Sequence, residues 1–252
     1  MKQSTAVQAA RGPELFEFDA YTSLARILPP DGEHVFVDAG SNVGTMAQRM
    51  LDRFPRATVH AFEPVAETFE KLRSRFAGSR SVVPVRAALG ASDGEVDIRV
   101  NGCPGTSSVL ASHERAIVYH GDNLRTRRVE RVRVMSLDGW AHSAGIERVD
   151  FLKIDVQGYE LEVLKGAERL LRSGVVAVYS EAQMTEIYEG AAMFSDIDLF
   201  LRGRGFELFQ VLEIFSGGVE RRTTCCDALW VRSDVLAAHV ASLRAEAAPR
   251  AA

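Results

Sequence analysis

The chain has 252 residues, of which 46% are hydrophobic and 25% charged, and this is enough for one large domain with a buried core. Its 30 basic and 34 acidic residues leave a net charge of −4, which argues against nucleic acid or anionic lipid as the main partner. The three cysteines, Cys103, Cys225 and Cys226, form neither a disulfide framework nor a zinc pattern, which favours a reducing compartment.

The N-terminal residues carry no apolar signal segment, and no uncharged run approaches the roughly 18 residues that span a bilayer. We therefore expect a cytoplasmic protein with no membrane partner. After this polar start, apolar residues at spacings of three and four predict an amphipathic helix over 13–28, which Pro29 and Pro30 stop.

Strands and helices alternate in the first part of the chain. Short apolar runs predict buried strands over 35–37, 58–62 and 81–89, with an amphipathic helix in each gap. Because the spacings are short, the connections should be right-handed crossovers in a parallel sheet covered by helices on both faces. The pattern predicts an α/β fold.

The alternation breaks over residues 90–135. A turn at Asp93 and Gly94 predicts a hairpin, and strands are expected over 96–100 and 129–135. This segment is therefore predicted to be an antiparallel β insert.

The strand and helix alternation then resumes. The predicted elements are a strand over 149–154, a helix over 158–171, a strand over 175–179 and two last strands over 206–214 and 227–231. A turn through Ser216, Gly217 and Gly218 joins the last two strands, so they should be antiparallel neighbours.

One more helix is predicted between the strand over 175–179 and the strand over 206–214. Ser195 is the expected N-cap, Asp198 the capping-box acid, and Phe194 with Leu199 the hydrophobic staple. The helix is expected to end among the glycines that follow it.

The sharpest local signal is the turn after the first strand, where Asp38 is followed by Gly40 and Gly44. Glycines at such a turn let a ligand approach the backbone and let the chain turn tightly into a helix. An acid at the strand end would repel the pyrophosphate of a dinucleotide, whereas it suits a cation. Glu63 closes the next strand, where doubly wound folds bind a ribose diol. The pattern favours a nucleoside with a cationic tail.

Six sequence blocks between residues 35 and 181 resemble, in order, those of the FkbM family of class I S-adenosylmethionine-dependent methyltransferases. The blocks are VDAGSNVGTMAQ (37–48), AFEP (61–64), AALGASDG (87–94), GTSSV (105–109), SLDGW (136–140) and VDFLKIDVQGYELEVLKGAERLL (149–171). In the last block the family usually carries an acid where this chain has Gln157.

The resemblance implies a doubly wound, Rossmann-like α/β fold. Its sheet should have seven strands, mostly parallel, with an antiparallel C-terminal hairpin and a small β insert. We expect a single methyltransferase domain over 1–252, in which a helical extension over 1–30 and the insert over 90–135 face the substrate.

The resemblance also implies the cofactor, S-adenosylmethionine, and its contacts. The residues expected around its methionine portion are Asp38, Gly40, Ser41, Asn42 and Gly44. Glu63 should hold the ribose hydroxyls, Ala88 and Leu89 should flank the adenine, and Asp155 should lie beside the transferred methyl group.

A hydroxyl acceptor must lose a proton, and the sequence offers Asp155, His113, His142 and Glu181 as general bases without ranking them. The histidines are equally compatible with surface or structural roles. Asp155 and Glu181, with Gln183 close by, could instead hold a divalent cation that lowers the hydroxyl pKa, although metal-free sites also have oxygen ligands at strand ends. Ser107 and Ser108 lie in a loop that could contact the substrate, and Gln183 is a further candidate for such a contact.

The favoured function is S-adenosylmethionine-dependent O-methylation of a small natural product or sugar. Two alternatives stay open: a non-catalytic nucleoside-binding module, and a nicotinamide-dependent oxidoreductase, which the glycine spacing disfavours. The arginines of the insert do not indicate a nucleic-acid partner, because Arg131 and Arg133 alternate with valines, as on the solvent face of a strand. A homodimer is possible on general grounds.

Overall fold

The structure is a computed structural model that describes residues 19–217 and 221–247. Within these ranges the strands are β1 Val35–Ala39, β2 Thr58–Phe62, β3 Val82–Val85, β4 Ala88–Leu89, β5 Gly94–Asn101, β6 Thr126–Met135, β7 Val149–Ile154, β8 Val175–Gln183, β9 Phe206–Gly217 and β10 Arg222–Arg232. The α-helices are α1 Ala20–Leu24, α2 Thr45–Arg53, α3 Ala66–Arg75, α4 Glu114–His120, α5 Leu137–Ser143, α6 Glu160–Lys165, α7 Glu168–Ser173, α8 Phe194–Arg202 and α9 Ser233–Ala247.

Seven of these strands form one sheet in the order β3-β2-β1-β7-β8-β10-β9. The pairs from β3 to β8 are parallel, whereas β10 runs antiparallel to both β8 and β9. This arrangement confirms the predicted doubly wound α/β fold, including its antiparallel C-terminal hairpin. The turn of that hairpin includes Gly218, which lies outside the described residues.

Helices cover both faces of the sheet because the strands are apolar on both faces. All six residues of β7 are buried. Phe36 and Phe151 pack with α1, α2 and α3 on one face, while Val37 and Leu152 pack with α5 to α8 on the other, as the alternation of side chains along a strand requires. The carboxyl ends of the parallel strands therefore form one open edge between two helical layers.

The predicted strand over 81–89 is wrong as a single element. The chain turns at Ala87, whose N–H donates to the Val85 carbonyl, and it leaves β2 to enter a second sheet with the order β4-β6-β5. The hairpin predicted at Asp93 and Gly94 is also wrong, because β6 lies between β4 and β5. The Asp93 carboxylate instead accepts hydrogen bonds from the N–H and Oγ of Ser136. The insert is nevertheless mainly antiparallel, as predicted, through β5 and β6.

The predicted helix over 158–171 is two helices, α6 and α7. A side chain at Gly166 would meet the Gly90 carbonyl oxygen at 2.0 Å, and the Gly166 carbonyl accepts a hydrogen bond from the Asp138 N–H. The Asp138 carboxylate in turn caps α7 by accepting from the N–H groups of Arg169 and Leu170. A long-range cap therefore ends the first helix and starts the second.

The predicted start of α8 is two residues too late. Met193 is the N-cap, and its N–H donates to the Asp196 carboxylate at 2.9 Å. Asp198 instead accepts a hydrogen bond from Trp230 Nε1, and Leu199 is 69% exposed, so no staple forms there. The tryptophan that redirects Asp198 lies on β10, beyond the reach of a local motif.

The predicted N-terminal helix over 13–28 is described only from residue 19 onward, since 13–18 lie outside the described residues. Its described part is α1, which ends at Leu24, before the two prolines. Helices α4, α5 and α9 were not predicted at all. In the described ranges, no helix is long and apolar enough to cross a membrane.

Candidate functional site

A cleft of about 670 Å³, including the solvent at its mouth, opens at the carboxyl ends of β1, β2 and β7. We call it the central cleft. Its apolar walls include Phe62, Val65, Ala88, Leu89, Ile98 and Val109, and its polar groups include Asn42, Glu63, Ser107, Asp155 and Gln157. The cleft lies where open α/β sheets bind their ligands. Its apolar walls with a few polar groups suit a nucleoside.

Two glycines shape the turn from β1 into α2. Gly40 has φ +79°, lines the central cleft, and leaves no room for a side chain, which would meet the Asp155 carbonyl oxygen at 1.9 Å. Gly44 has φ +80° and faces away from the cleft, where a side chain would meet Phe76 and Leu72. Gly40 therefore borders the ligand space, whereas Gly44 allows α2 to pack against α3.

Glu63 and Asn42 form the polar end of the central cleft. The Asn42 N–H donates to Glu63 Oε2 at 3.0 Å, and the Val65 N–H donates to Glu63 Oε1 at 2.9 Å. Burial raises the pKa of Glu63 to about 7. Each carboxylate oxygen has a second lone pair, so Glu63 can still accept hydrogen bonds from a diol in the cleft.

Asp38 does not line the central cleft. Its side chain is fully buried, and Lys153 Nζ lies 3.1 Å from Asp38 Oδ1 and 3.2 Å from the Gly40 carbonyl oxygen. Ser41 is also buried and donates its hydroxyl to the Asp38 carbonyl. Asp38 and Ser41 therefore brace the turn that borders the cleft, and their side chains do not line the cleft in this structure.

Lys153 was not singled out in the sequence, although it lies directly across from Asp38 on β7. Burial lowers its pKa, but the carboxylates of Asp38 and Asp155 outweigh that effect and raise the pKa above its ordinary value. The lysine therefore stays charged inside the protein. The sequence signal was a lysine between Leu152 and Ile154 in a strand predicted to be buried, where an unpaired charge is costly.

Asp155, Gln157 and Glu181 form a hydrogen-bonded cluster at the edge of the sheet. Gln157 Nε2 donates to Asp155 Oδ1 at 2.7 Å and to Glu181 Oε2 at 3.0 Å. Tyr188 donates its hydroxyl to Gln157 Oε1 at 2.6 Å, which fixes the orientation of the amide. Gln157 adopts φ +59°, a strained conformation for a residue other than glycine, so the cluster holds it in an unusual position.

Three clefts meet at this cluster. The acidic cleft includes the five carboxylates of Asp19, Asp155, Glu181, Glu213 and Asp227 in its lining. The apolar cleft includes Leu124, Ile187, Tyr188, Phe215 and Cys225 in its lining. Asp155 borders the central and acidic clefts, Gln157 the central and apolar clefts, and Glu181 the acidic and apolar clefts. A group at this junction can contact ligands in two clefts.

The two histidine candidates lie apart from this junction. His113 caps α4 by accepting the Arg115 N–H on Nδ1, and it lines a separate outer cleft with Glu186 and His120. His142 is exposed near the end of α5 and lines none of the three clefts. The structure therefore gives neither histidine access to the cluster.

Of the three predicted substrate contacts, one lines a cleft and two are buried away from the clefts. Ser107 lines the central cleft, whereas Ser108 is fully buried and donates its hydroxyl to the Gln157 carbonyl at 2.6 Å. Gln183 is buried as well, and its Oε1 accepts the Ile187 N–H. Ser108 and Gln183 thus hold the surrounding loops and do not border the clefts.

The metal hypothesis for Asp155, Glu181 and Gln183 is not favoured by this geometry. Gln183 points to a neighbouring loop, and the Gln157 amide fills the space between the two carboxylates with hydrogen-bond donors. Over 19–217 and 221–247, no group of three or more histidine, cysteine, aspartate or glutamate side chains is placed to hold a metal ion.

Glu160, which the sequence indicates as a solvated or capping side chain, caps the loop before α6. Its Oε1 accepts the N–H groups of Val156 and Gly158, and its Oε2 is buried with no partner among the described residues. Burial raises the pKa of Glu160 from 4.5 to about 7. The folded state therefore holds this proton more tightly than the unfolded chain does, so stability is lost as the pH rises from about 4.5 to about 7.

Glu160→Gln removes this titration and keeps the Oε1 acceptor. We expect the variant and the wild type to unfold with similar free energies near pH 4.5, and the variant to be more stable by about 1 to 3 kcal/mol near pH 8. Urea unfolding at the two pH values measures the difference. The control is Glu162→Gln on the same helix, which loses only an ion pair with Lys165 and should show no such pH dependence. A variant that is less stable than wild type at high pH would contradict this account of Glu160.

A family model described as "Methyltransferase FkbM domain" matches residues 38–208, which include the β1 turn, Glu63 and the Asp155 cluster. The chain belongs to the FkbM methyltransferase family. The fold and the family model therefore agree with the resemblance of the six sequence blocks, and residues 38–208 form an FkbM methyltransferase domain.

The chain is similar in sequence to three named proteins. The chain is 29% identical over 223 residues to the AMB antimetabolite synthetase AmbE of Pseudomonas aeruginosa, a match that covers 77% of this chain and 10% of that protein. It is 27% identical to the 2-O-methyltransferase NoeI of Sinorhizobium fredii, over 62% of this chain and 66% of NoeI. It is 30% identical to the hexuronic acid methyltransferase AglP of Haloferax volcanii, over 60% of this chain and 57% of AglP. The match thus spans a tenth of AmbE, about two thirds of NoeI and a little over half of AglP.

Proposed function

We propose that this FkbM protein transfers a methyl group from S-adenosylmethionine to a hydroxyl of a small natural product or sugar. The observation that carries the proposal is the position of Asp155, which borders both the central cleft and the acidic cleft. The names of NoeI and AglP, a 2-O-methyltransferase and a hexuronic acid methyltransferase, support a hydroxylated acceptor.

The residues of the central cleft fit the cofactor. Glu63 is positioned to accept the ribose hydroxyls, and the apolar side chains of Ala88 and Leu89 offer a surface for adenine. Asp155 places a carboxylate at the other end, where it suits a positive charge. When bound, S-adenosylmethionine supplies a methyl group on a positively charged sulfur.

Asp155 is the group we assign as general base. Glu181 is the poorer candidate, because burial and the neighbouring negative charge of Asp155 raise its pKa well above the ordinary value and favour its protonated form. The Gln157 amide orients Asp155 through Oδ1 and leaves Oδ2 on the side of Lys153. Asp155 would accept the proton of the acceptor hydroxyl as that oxygen is methylated.

The Glu63 assignment predicts a loss of cofactor affinity. Glu63→Gln removes the charged acceptor for the diol and weakens the acceptor for the Asn42 N–H, so we expect S-adenosylhomocysteine to bind at least about tenfold more weakly. Isothermal titration measures the affinity. The matched control is Glu67→Gln on the exposed face of α3, which lines none of the three clefts and should bind as the wild type does.

Label transfer decides between the proposed function and its two alternatives. With methyl-labelled S-adenosylmethionine and a hydroxylated metabolite extract, we expect label in a product that releases it on ether cleavage. S-adenosylhomocysteine binding without transfer to any component would indicate a nucleoside-binding module, and tight NAD binding in its place would indicate an oxidoreductase. Either result would contradict the proposal.

A further inference from the structure

We propose that the acidic cleft binds the methyl acceptor, and that this acceptor carries a protonated amine beside its hydroxyl groups. The inference rests on the proposed function and adds the substrate class. The acidic cleft encloses about 1150 Å³, including solvent, and shares Asp155 with the central cleft. An acceptor seated there would present its hydroxyl to Asp155 next to the cofactor.

The cations of the acidic cleft are already paired. Arg49 Nη2 lies 3.5 Å from Asp19 Oδ1, and Lys153 Nζ lies 3.1 Å from Asp38 Oδ1 and 3.6 Å from Asp155 Oδ2. These pairs account for the carboxylates of Asp19 and Asp155. Among the described residues, neither cation forms an ion pair with the carboxylates on the opposite side of the cleft.

Three carboxylates there have no cationic partner in the described part of the chain. Glu181 accepts from the Gln157 amide, Asp227 accepts the Tyr179 hydroxyl at 2.7 Å, and Glu213 lines the same cleft on β9. Glu181 and Asp227 are directly opposite each other on β8 and β10. Two like charges directly opposite each other on neighbouring strands destabilise the fold. A cationic ligand between the two carboxylates would offset this repulsion.

The titration of these groups is consistent with a missing cation. Burial, aided by neighbouring carboxylates, raises the pKa of Asp227 to about 6, and the pKa of Glu181 is also raised. A protonated amine between them would stabilise the charged forms. An anionic acceptor such as a uronic acid would instead add a further negative charge to the cleft.

A second, independent feature also points to a ligand. The Tyr21 side chain lines the acidic cleft and is only 3% exposed, yet its hydroxyl has no hydrogen-bond partner within the described ranges. A buried hydroxyl without a partner is costly and is normally satisfied. A polyhydroxylated acceptor would supply that partner, whereas a purely hydrocarbon acceptor would not.

The test compares three monosaccharides that differ in charge. Glucosamine, glucose and glucuronic acid are titrated into the full chain saturated with S-adenosylhomocysteine, and binding is measured by calorimetry. We expect glucosamine to bind about tenfold more tightly than glucose, and glucuronic acid to bind most weakly. No binding of glucosamine, or an equal or reversed order, overturns the inference.

Two variants test whether the preference for glucosamine arises in the acidic cleft. Glu213→Gln and Asp227→Asn should each reduce the preference for glucosamine over glucose severalfold, whereas Glu207→Gln should not change it. Glu207 is a matched control, because it is an exposed acid on the same strand as Glu213 and lines none of the clefts. An unchanged preference in both cleft variants overturns the inference.

The affinity for S-adenosylhomocysteine distinguishes a failure of the proposed methyltransferase function from a failure of the inferred acceptor class. If the wild type does not bind S-adenosylhomocysteine, the proposed function fails. If it binds, and Glu213→Gln or Asp227→Asn weakens this binding tenfold without changing the sugar preference, the acidic cleft holds the cofactor's own ammonium group. That outcome overturns the amine-bearing acceptor and leaves the methyltransferase assignment in place.

Discussion

Asp155→Asn is expected to lower the turnover number about a thousandfold, because it removes the group that accepts the hydroxyl proton. The affinity for S-adenosylhomocysteine should stay within about threefold of wild type, since the neutral product carries no sulfonium charge for Asp155 to attract. Single-turnover kinetics with labelled cofactor measures the chemical step directly.

Asp52→Asn is the matched control for this change. Asp52 is also an acid that accepts a hydrogen bond from a glutamine amide, Gln48 Nε2 at 2.9 Å, but it is exposed on α2 and lines none of the clefts. Its replacement should leave turnover unchanged. If Asp155→Asn also retains full turnover with the natural acceptor, Asp155 has only a structural role and the base must be sought elsewhere.

Lys153→Met is expected to lower the free energy of unfolding by about 3 to 5 kcal/mol, the cost of leaving a buried charge without its partner. The variant keeps Asp38 fully buried while removing the ammonium group 3.1 Å from it. The Gly40 carbonyl, which borders the central cleft, loses its lysine donor at the same time. Urea unfolding measures the loss, and S-adenosylhomocysteine affinity should fall with it.

The pairing is tested by removing both charges. Asp38→Val combined with Lys153→Met should recover most of the stability, because a buried ion pair can be replaced by apolar side chains at little net cost. A double variant whose loss equals the sum of the two single losses would show that the charges do not interact.

The strands around the site were predictable because their signal is local. The apolar runs of β1, β2 and β7 lie between turn residues, and each ends at a polar residue of the site or within one residue of it. Asp155 and Glu181 were predicted as neighbours because adjacent parallel strands bring their carboxyl ends together. The positions of these strands and the main site edge therefore followed from short-range patterns, whereas the seven-stranded sheet was implied by the family resemblance.

The partners of two acids lie far away in the sequence. Asp38 stands opposite Lys153, across the β1 and β7 pair, and forms a buried ion pair with it. Asp198 was expected to cap α8, but Trp230 occupies its carboxylate. Each acid had a plausible local role, and only the fold reveals which group it meets.

The Gln157 bridge could not be predicted for a related reason. A glutamine in place of the family's usual acid changes charge, yet its function depends on a positive φ and on Tyr188, which lies on a separate loop. Because of these contacts, the Gln157 amide, where the chain departs from the family pattern, holds Asp155 and Glu181 together. The three clefts that meet there arise from the insert and the C-terminal hairpin as well as from the main sheet.

A crystal structure with S-adenosylhomocysteine bound tests the central claim most directly. We expect the ribose hydroxyls to contact Glu63, the adenine to lie against Ala88 and Leu89, and the sulfur to face Asp155 where the central and acidic clefts meet. A nucleoside bound in another cleft, or a sulfur that points away from Asp155, would contradict it.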